Sequence, residues 1–520
     1  MSAAPPSSTP PAPAPPASRG LIVFAVMAAT IMQVIDITIV NVALPKMQGA
    51  LSATTDQITW VLTSYLVASA ILMPLTGFIT DRLGQKRYLL LSIGGFVASS
   101  ALCGMATSLT EMVLFRLLQG VFGASLSPLS QSILVQTFPH EKRGRAMAIW
   151  GIGVTAGPIL GPTLGGWLTQ VLSWRWDFYV NLPVGLLAFF LSVIAVPETP
   201  RRNRRMDWFG LAFLALAIAA LQVLLDRGNT DDWFASNAIR ILAFLSFAGL
   251  LCFLVHGLGR KGKESIFDLS LFRDRNFASA CLLIAVMGLG MYGTLVLQPE
   301  LLESLLNYPV LTTGLVMAPR GFASMFGMFL VGRLINRVDA RLLVFIGLVL
   351  SIIGSFAMAE YNLDINMFWV IWPILLQGVG LGMIFVPLAT IAYSTLPVRQ
   401  SAEAAGMFNL LRTIGSSIGI SIVTTLFTEE SQVNWNVLGG RMNPSNPAFQ
   451  HYLAAVGLPK LNLLGAQLMG GLLGQQSAMI AFVDCFVFIG WSFIFMIPLL
   501  LIVKTPKRYG TASVAAALSD

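Results

Sequence analysis

Long apolar runs, separated by short polar stretches, make up most of the chain. A helix needs roughly 20 apolar residues to cross a hydrocarbon core of about 30 Å, and windows of that length select fourteen runs. They lie near residues 20–42, 57–79, 88–108, 111–136, 145–169, 177–197, 208–226, 238–257, 275–299, 310–332, 341–359, 367–394, 403–427 and 478–503. The pattern predicts an all-α integral membrane protein with fourteen transmembrane helices, and the even number predicts that both termini lie on one side of the lipid bilayer.

Composition supports a membrane protein. Of 520 residues, 56% are apolar and 11% are charged, whereas soluble domains carry about 25% charged residues. The four cysteines form no CxxC pair and the three histidines are scattered, so the sequence predicts neither a disulfide framework nor a metal site. It also contains no P-loop or nucleophile elbow. These features argue against an enzyme and against ATP-driven pumping by this chain alone.

The basic residues predict which way the helices are oriented. With the N-terminus inside, the inside segments hold 23 Lys and Arg residues and the outside segments hold 6. Because cytoplasmic loops are enriched in Lys and Arg, this split predicts that both termini are cytoplasmic. It also accounts for the net charge of +8 without any nucleic-acid partner.

An internal repeat predicts two related halves. Residues 117–121 recur identically at 375–379, and at the same offset Gly157 falls on Gly415 while Arg116 falls on Ile374. Two six-helix units with a site between them are typical of transporters. The predicted parts are a Pro/Ala-rich disordered cytoplasmic tail (1–19), an N-terminal six-helix bundle (20–200), a linker with two inserted helices (201–273), a C-terminal bundle (274–508) containing a long periplasmic loop (428–477), and a cytoplasmic tail (509–520).

Four motifs carry a resemblance to a known family. They are Asp36-x-Thr38-x-x-Asn41, Gly77-x-x-x-Asp81-Arg82-x-Gly84, Leu114-x-Arg116-x-x-Gln119-Gly120, and Gly157-Pro158-x-x-Gly161-Pro162. Together and in this order they resemble the major facilitator superfamily, specifically the fourteen-span drug:proton antiporters of EmrB/QacA type. The resemblance implies the fold of that superfamily over nearly the whole chain.

The resemblance also implies a function. It implies export of drugs or other toxic amphiphiles across the inner membrane by alternating access, driven by the proton gradient and without a bound cofactor. It implies partners as well, namely a periplasmic EmrA-like adaptor and a TolC-like outer-membrane channel. Two other hypotheses stay open: a proton-coupled exporter of one endogenous metabolite or siderophore, and a non-transporting membrane sensor.

Three ionisable residues are the candidates for proton coupling. Asp36 lies in the middle of the first span, where a charge costs at least about 2.5–3.5 kcal/mol and marks a functional site by default. Arg116 could hold a carboxylate such as Asp36, or could be a structural ion pair. Asp484, predicted two turns into the last span, is either a second titrating group or an interface carboxylate. The alternative for Asp36 is that it only bonds neighbouring groups such as Thr38 or Asn41.

A second group of residues is predicted to control opening. Asp81, Arg82 and Arg145 could form an ion-pair latch at the cytoplasmic face, or could be solvated loop residues. In span five, glycines at every fourth position would allow close helix approach, either as plain packing or against a span of the other half that blocks proton leak. The gating and motif candidates are Gly77, Asp81, Arg82, Gly84, Arg145, Gly157, Pro158, Gly161 and Pro162.

Polar residues within the apolar runs are candidates for the walls of the substrate cavity. Polyspecific binding needs a large apolar cavity with few directional contacts, so a polar side chain in the cavity wall would supply one of those few contacts. For Glu300, near an outer helix end, solvation at the rim is the alternative. The cavity candidates are Thr38, Asn41, Gln119, Glu300, Arg320 and Arg412.

Overall fold

The computed structural model describes residues 19–202, 206–259, 268–442, 446–455 and 463–503. Within these ranges fourteen helices are long and apolar enough to cross a membrane, which confirms the predicted number. They are α1 (Arg19–Ala50), α2 (Trp60–Leu83), α3 (Gln85–Met105), α4 (Leu109–Thr137), α5 (Lys142–Val171), α6 (Trp176–Ala195), α7 (Trp208–Arg227), α8 (Asn237–Gly257), α9 (Arg275–Leu305), α10 (Thr312–Leu334), α11 (Ala340–Met358), α12 (Met367–Ala392), α13 (Val398–Arg441) and α14 (Gln467–Leu500).

Some sequence predictions fall outside the described residues. Both predicted tails, apart from the first helical residue Arg19, lie there, as do several loop arginines and lysines that were counted for the orientation. The orientation itself therefore stays a prediction.

The segment 428–477 differs from the predicted loop. Helix α13 runs without a break to Arg441, and a short helix follows at Pro447–Ala455. The helix that contains α14 spans Leu463–Leu500. The turns from 428 to 441 were missed because they are too polar to count as a membrane span. The turns from 463 to 477 were missed because the run 478–503 already supplies the length that the last span needs. Both helices therefore extend past the apolar stretch, and a cluster of Phe449, Leu453 and Met469 buries part of their connection.

The two halves use the same helix packing. In the N-terminal half, a Cβ on Gly157 of α5 would meet Val34 of α1; in the C-terminal half, a Cβ on Gly415 of α13 would meet Ala285 of α9. Glycine allows such close backbone approach because it has no side chain. The sequence repeat thus has a counterpart in the structure, with α1 and α5 corresponding to α9 and α13.

The halves meet at the end of the bundle that carries the α2–α3 and α10–α11 loops. There Gly77 lies against Glu403, and Gly144 of α5 lies against Ile335. Further along, the Trp150 and Phe385 rings stack at 5.7 Å between centroids. The backbone and side chains of the two halves are therefore in direct contact at this end.

The inserted helix α7 lies between the halves. Gln222 donates from Nε2 to Ser417 Oγ of α13 at 2.6 Å, and Thr63 of α2 donates to Asp226 of α7. The other inserted helix, α8, packs on α7 through a hydrogen bond from Ser246 to the Ala217 carbonyl and is otherwise mostly exposed. The inserted pair therefore does more than cover one side of the bundle, because α7 contacts both halves.

Candidate functional site

A buried ion pair lies inside the N-terminal half. Asp36 of α1 is fully buried and Arg116 of α4 is 1% exposed. Arg116 Nη1 lies 2.8 Å from Asp36 Oδ2, a short charge-assisted hydrogen bond. Two of the ionisable residues that the sequence places within apolar spans are thus direct partners.

Two amides complete the surroundings of the carboxylate. Asp36 Oδ1 accepts from Gln119 Nε2 at 2.8 Å and from Asn181 Nδ2 at 2.7 Å. With Arg116, the carboxylate therefore receives three N–H donors from α4 and α6. Because an ionised carboxylate only accepts hydrogen bonds, this arrangement matches the ionised form of Asp36.

Residue spacing along α4 and contacts with α2 fix the side chain of Arg116 next to Asp36. Arg116 and Gln119 are three residues apart and so share one helix face, and Arg116 Nη1 also donates to Gln119 Oε1 at 2.6 Å. Arg116 Nε donates to the Val61 carbonyl of α2 at 3.1 Å. Its guanidinium lies 4.5 Å from the centre of the Tyr65 ring, a favourable cation–π distance. The arginine is therefore fixed from several sides before it meets Asp36.

The energetics make this cluster sensitive to any change in its charge. Removing one partner of a buried pair is strongly destabilising, because it leaves an uncompensated charge in a low dielectric. Protonation of Asp36 would have a related effect, since it cancels the negative charge and replaces one acceptor by a donor. The cluster would then hold an unbalanced Arg116 and a changed set of hydrogen bonds. The charge of Asp36 is therefore linked to the contacts that join α1, α4 and α6.

The structure corrects the idea that Thr38 or Asn41 holds Asp36. Thr38 Oγ1 bonds to carbonyls of its own helix and to the Gly157 carbonyl of α5 at 3.1 Å. Asn41 is exposed. Thr38 and Asn41 follow Asp36 by two and five residues, and at 3.6 residues per turn they lie on other faces of α1, so proximity in sequence gave the wrong partners.

Asn181 is the site residue that sequence reasoning did not select. It lies at the start of α6, is 1% exposed and also donates to Ser100 Oγ at 3.0 Å. Ser100 in turn donates to the Phe178 carbonyl. The available signal was a lone amide beside an apolar run, which indicates a buried hydrogen bond but not its partner.

Asp484 lies in another part of the molecule. It is partly buried in α14, and it lies about five turns after Gln467. The expected position, two turns into the last span, is wrong because the helix begins well before the apolar window. Asp484 does not contact the Asp36 cluster, and its role in proton coupling stays a prediction.

The glycine stripe of α5 packs within its own half. Added Cβ atoms on Gly157 and Gly161 would meet Val34 and Thr38 of α1. The stripe therefore does not face a span of the other half, as the second hypothesis required. The reason is geometric: α5 has several faces, and a small-residue face indicates a close neighbour without saying which one. Pro162 is exposed, and the side chain of Pro158 lies outside the described residues.

The predicted latch residues lie at the end where the halves meet. The Asp81 carbonyl accepts from the Arg202 backbone N–H at 2.6 Å, and Asp81 lines a pocket of about 200 Å³ together with Glu403 and Gly77. Gly84 follows with φ of 86°, a conformation that favours glycine.

The two basic latch candidates are not among the residues that line this pocket. Arg82 and Arg145 are exposed, and exposed ion pairs are individually weak. The latch therefore stays a prediction.

The remaining cavity candidates belong to the C-terminal half. Arg320 of α10 is 7% exposed, with Nη1 3.4 Å from Gln298 Oε1 and Nη2 3.3 Å from the Met291 carbonyl. Arg412 is partly buried and lies 5.9 Å from the centre of the Phe385 ring. Glu300 is exposed. The two arginines thus lie inside the second bundle, and Glu300 does not.

Comparison with known proteins agrees with this architecture. The Major Facilitator Superfamily model matches residues 26–420. The chain is 36% identical over 487 residues to the fatty acid resistance protein FarB of Neisseria gonorrhoeae, covering 93% of this chain and 95% of that protein. It is 37% identical over 434 residues to the multidrug export protein EmrB of Escherichia coli K12, covering 83% and 84% of the two chains.

Solved structures show the same fold at low identity. The human organic anion transporter MFSD10 matches with a TM-score of 0.58 at 15% identity, over 92% of this chain and 99% of that one. The proton:xylose symporter XylE matches with a TM-score of 0.58 at 14% identity, over 91% and 94% of the two chains. At this identity the likeness concerns the arrangement of the helices alone.

Proposed function

We propose that this chain, which belongs to the major facilitator superfamily and is a multi-pass membrane transporter, exports toxic amphiphiles in exchange for protons. The observation that carries the proposal is the buried Asp36–Arg116 pair with its amide donors Gln119 and Asn181. A carboxylate at this depth is rare unless it is used. The names of its relatives, which concern multidrug export and fatty acid resistance, supply the class of compound.

In the proposed cycle, Asp36 carries the proton. In its ionised form it is held by three donors that tie α1 to α4 and α6. Protonation weakens the bond to Arg116. It thereby changes the relative stability of the two arrangements of the halves that alternating access requires, one open to each side of the membrane. A ligand or proton can shift such an equilibrium only by its differential affinity for the two states, and Asp36 provides that difference for the proton.

Location and conformation follow from the predicted orientation. If both termini are cytoplasmic, the end at which Gly77 meets Glu403 and Gly144 meets Ile335 faces the cytoplasm. The described conformation is then closed on that side, and the cavity would open outward. We place the protein in the inner membrane on the basis of the basic inside loops.

An adaptor partner forms part of the proposal. The helices of Ser401–Arg441 and Leu463–Leu500 extend past the apolar stretch on the outer side, and Trp435 and Tyr452 are exposed there. Such an aromatic-rich projection suits a protein partner better than bulk water. A periplasmic adaptor that leads to an outer-membrane channel is the partner we propose for it.

The proposal is tested by proton movement in everted membrane vesicles. Addition of an amphiphilic substrate should make the lumen of wild-type vesicles more alkaline, because protons leave as the compound enters. Asp36→Asn should abolish this response, since its side chain cannot release a proton. The matched control is Asp364→Asn, which changes an exposed aspartate in the α11–α12 loop and should behave as wild type. A full response from Asp36→Asn would overturn the assignment of the proton to Asp36, and no response from wild type over compounds of both charges would overturn the exchange itself.

A further inference from the structure

Arg320 is a buried cation without a counter-charge. Its side chain is 93% buried, and its two described hydrogen bonds are long, at 3.4 and 3.3 Å, and go to the neutral oxygens of Gln298 and Met291. A guanidinium offers five N–H donors and remains charged. Among the residues that the structure describes, no carboxylate forms an ion pair with Arg320.

Arg320 occupies the position in the C-terminal half that Tyr65, a neighbour of Arg116, occupies in the N-terminal half. The Arg320 carbonyl lies against Gly378 just as the Tyr65 carbonyl lies against Gly120. Tyr65 is the residue whose ring contacts Arg116. Arg320 therefore replaces a neutral tyrosine at the matching place in the C-terminal half.

The charge balance inside the bundle is positive as a result. In the N-terminal half, Asp36 neutralises Arg116 at 2.8 Å. In the C-terminal half, Arg412 adds a second positive charge close to Phe385, and it too has no carboxylate partner within the described part of the chain. A buried ion without a partner is destabilising, so this region favours an anion that enters from outside the protein.

We propose that Arg320 binds the anionic headgroup of exported compounds, with a carboxylate on an apolar body as the preferred class. The guanidinium matches a carboxylate through two parallel hydrogen bonds, and the surrounding apolar spans accept the rest of the molecule. The inference rests on the proposed export function and names the chemistry that one half of the site recognises. Asp36 handles the proton, and Arg320 selects the acid.

The test uses three probes with one apolar body and different headgroups. Naphthoate is anionic, naphthylmethanol is neutral, and naphthylmethyl-trimethylammonium is cationic. Binding of each to the purified full chain is measured by equilibrium dialysis in detergent at mildly alkaline pH, where naphthoate is ionised. The variants are Arg320→Gln and Arg320→Lys. The control is Arg240→Gln, which changes an exposed arginine of the inserted helix α8.

We expect Arg320→Gln to weaken naphthoate binding by about 10- to 100-fold, as for a lost hydrogen bond to a charged group, and to leave the other two probes unchanged. Arg320→Lys, which keeps the charge but not the paired donors, should weaken naphthoate binding less. Arg240→Gln should bind all three probes as wild type does.

Several results would overturn the proposal. These are unchanged naphthoate binding in Arg320→Gln, equal weakening of all three probes, or a wild-type protein that does not prefer naphthoate. If Arg320→Gln does not fold, the comparison of Arg320→Lys with wild type decides the same question. Because dialysis needs no proton gradient, a failure of proton exchange would leave this result intact.

Discussion

The two halves share a helix frame and differ in the chemistry that it holds. Gln119 and Gln377 occupy repeat-related positions, and both are fully buried. Gln119 donates to a carboxylate, whereas Gln377 donates to the hydroxyls of Thr294 and Ser355 at 3.2 and 3.1 Å. The same amide thus serves an ionic cluster in one half and a neutral one in the other.

The positions around these glutamines explain the difference. Arg116 corresponds to Ile374 in the repeat. Asp36 lies two residues after Val34, the residue under Gly157, and Met287 lies two residues after Ala285, the residue under Gly415. The charged pair in the N-terminal half is therefore matched by two apolar residues. The duplicated frame thus accommodates either a charged or an apolar pair at these positions, so we expect the charged pair to contribute more to function than to folding.

The largest effect is expected from removing one member of the ion pair. Arg116→Ile copies the C-terminal half at one position and leaves Asp36 buried without its cation, which should destabilise the protein by about 3–5 kcal/mol. The double variant Asp36→Met with Arg116→Ile copies both positions and should recover most of that stability without recovering transport. Thermal unfolding in detergent and vesicle transport measure the two effects. If the double variant were less stable than Arg116→Ile, the ion pair would be required for the fold itself.

A smaller effect is expected at Asn181. Asn181→Ala removes one of the three donors to Asp36, and the loss of a hydrogen bond to a charged group is worth about 1.5–3 kcal/mol. In the Asp36→Asn background the same change should matter less, since no charge remains to be satisfied. A double-mutant cycle of unfolding free energies measures the coupling. Equal effects in both backgrounds would show that Asn181 supports only Ser100 and the packing of α6.

The smallest effects are expected where the two halves are alike. A Cβ on Gly415 would lie 2.1 Å from the Ala285 carbonyl oxygen, and one on Gly157 would lie 2.3 Å from a Val34 methyl. Overpacking of this kind costs about 1–3 kcal/mol, and Gly415→Ala should cost more than Gly157→Ala because a backbone atom cannot turn aside. Gly314→Ala, with nothing within 4 Å, is the control. Unfolding temperatures of the three variants give the order, and a reversed order would contradict the matched packing of the halves.

Much of the fold was predictable because membrane spans are a local property. Apolar length alone set the fourteen helices, and the repeat indicated matching halves. The continuation of α13 to Arg441 was missed because its turns are polar, and the early start of the last helix was missed because the run 478–503 is already long enough to span. Helix propensity extends past the bilayer, and hydropathy does not report it.

The site was predictable in its charged members and not in its contacts. Asp36 and Arg116 stood out because charges are rare within spans. Their 2.8 Å contact, the role of Asn181 and the fact that the α5 glycines face α1 depend on how separate helices pack, and no periodicity encodes that. Thr38 and Asn41 were the wrong partners for Asp36, because helix geometry places them on other faces of α1.

The proposed exchange of substrate for protons depends most directly on whether Asp36 releases the coupling proton. The measurement is proton release on substrate binding by the purified protein in weakly buffered detergent solution, with wild type and Asp36→Asn compared at matched substrate occupancy. We expect wild type to release protons over the pH range in which Asp36 is protonated before substrate binds, and Asp36→Asn to release none. Equal release from both proteins would contradict it and would move the coupling proton to another group.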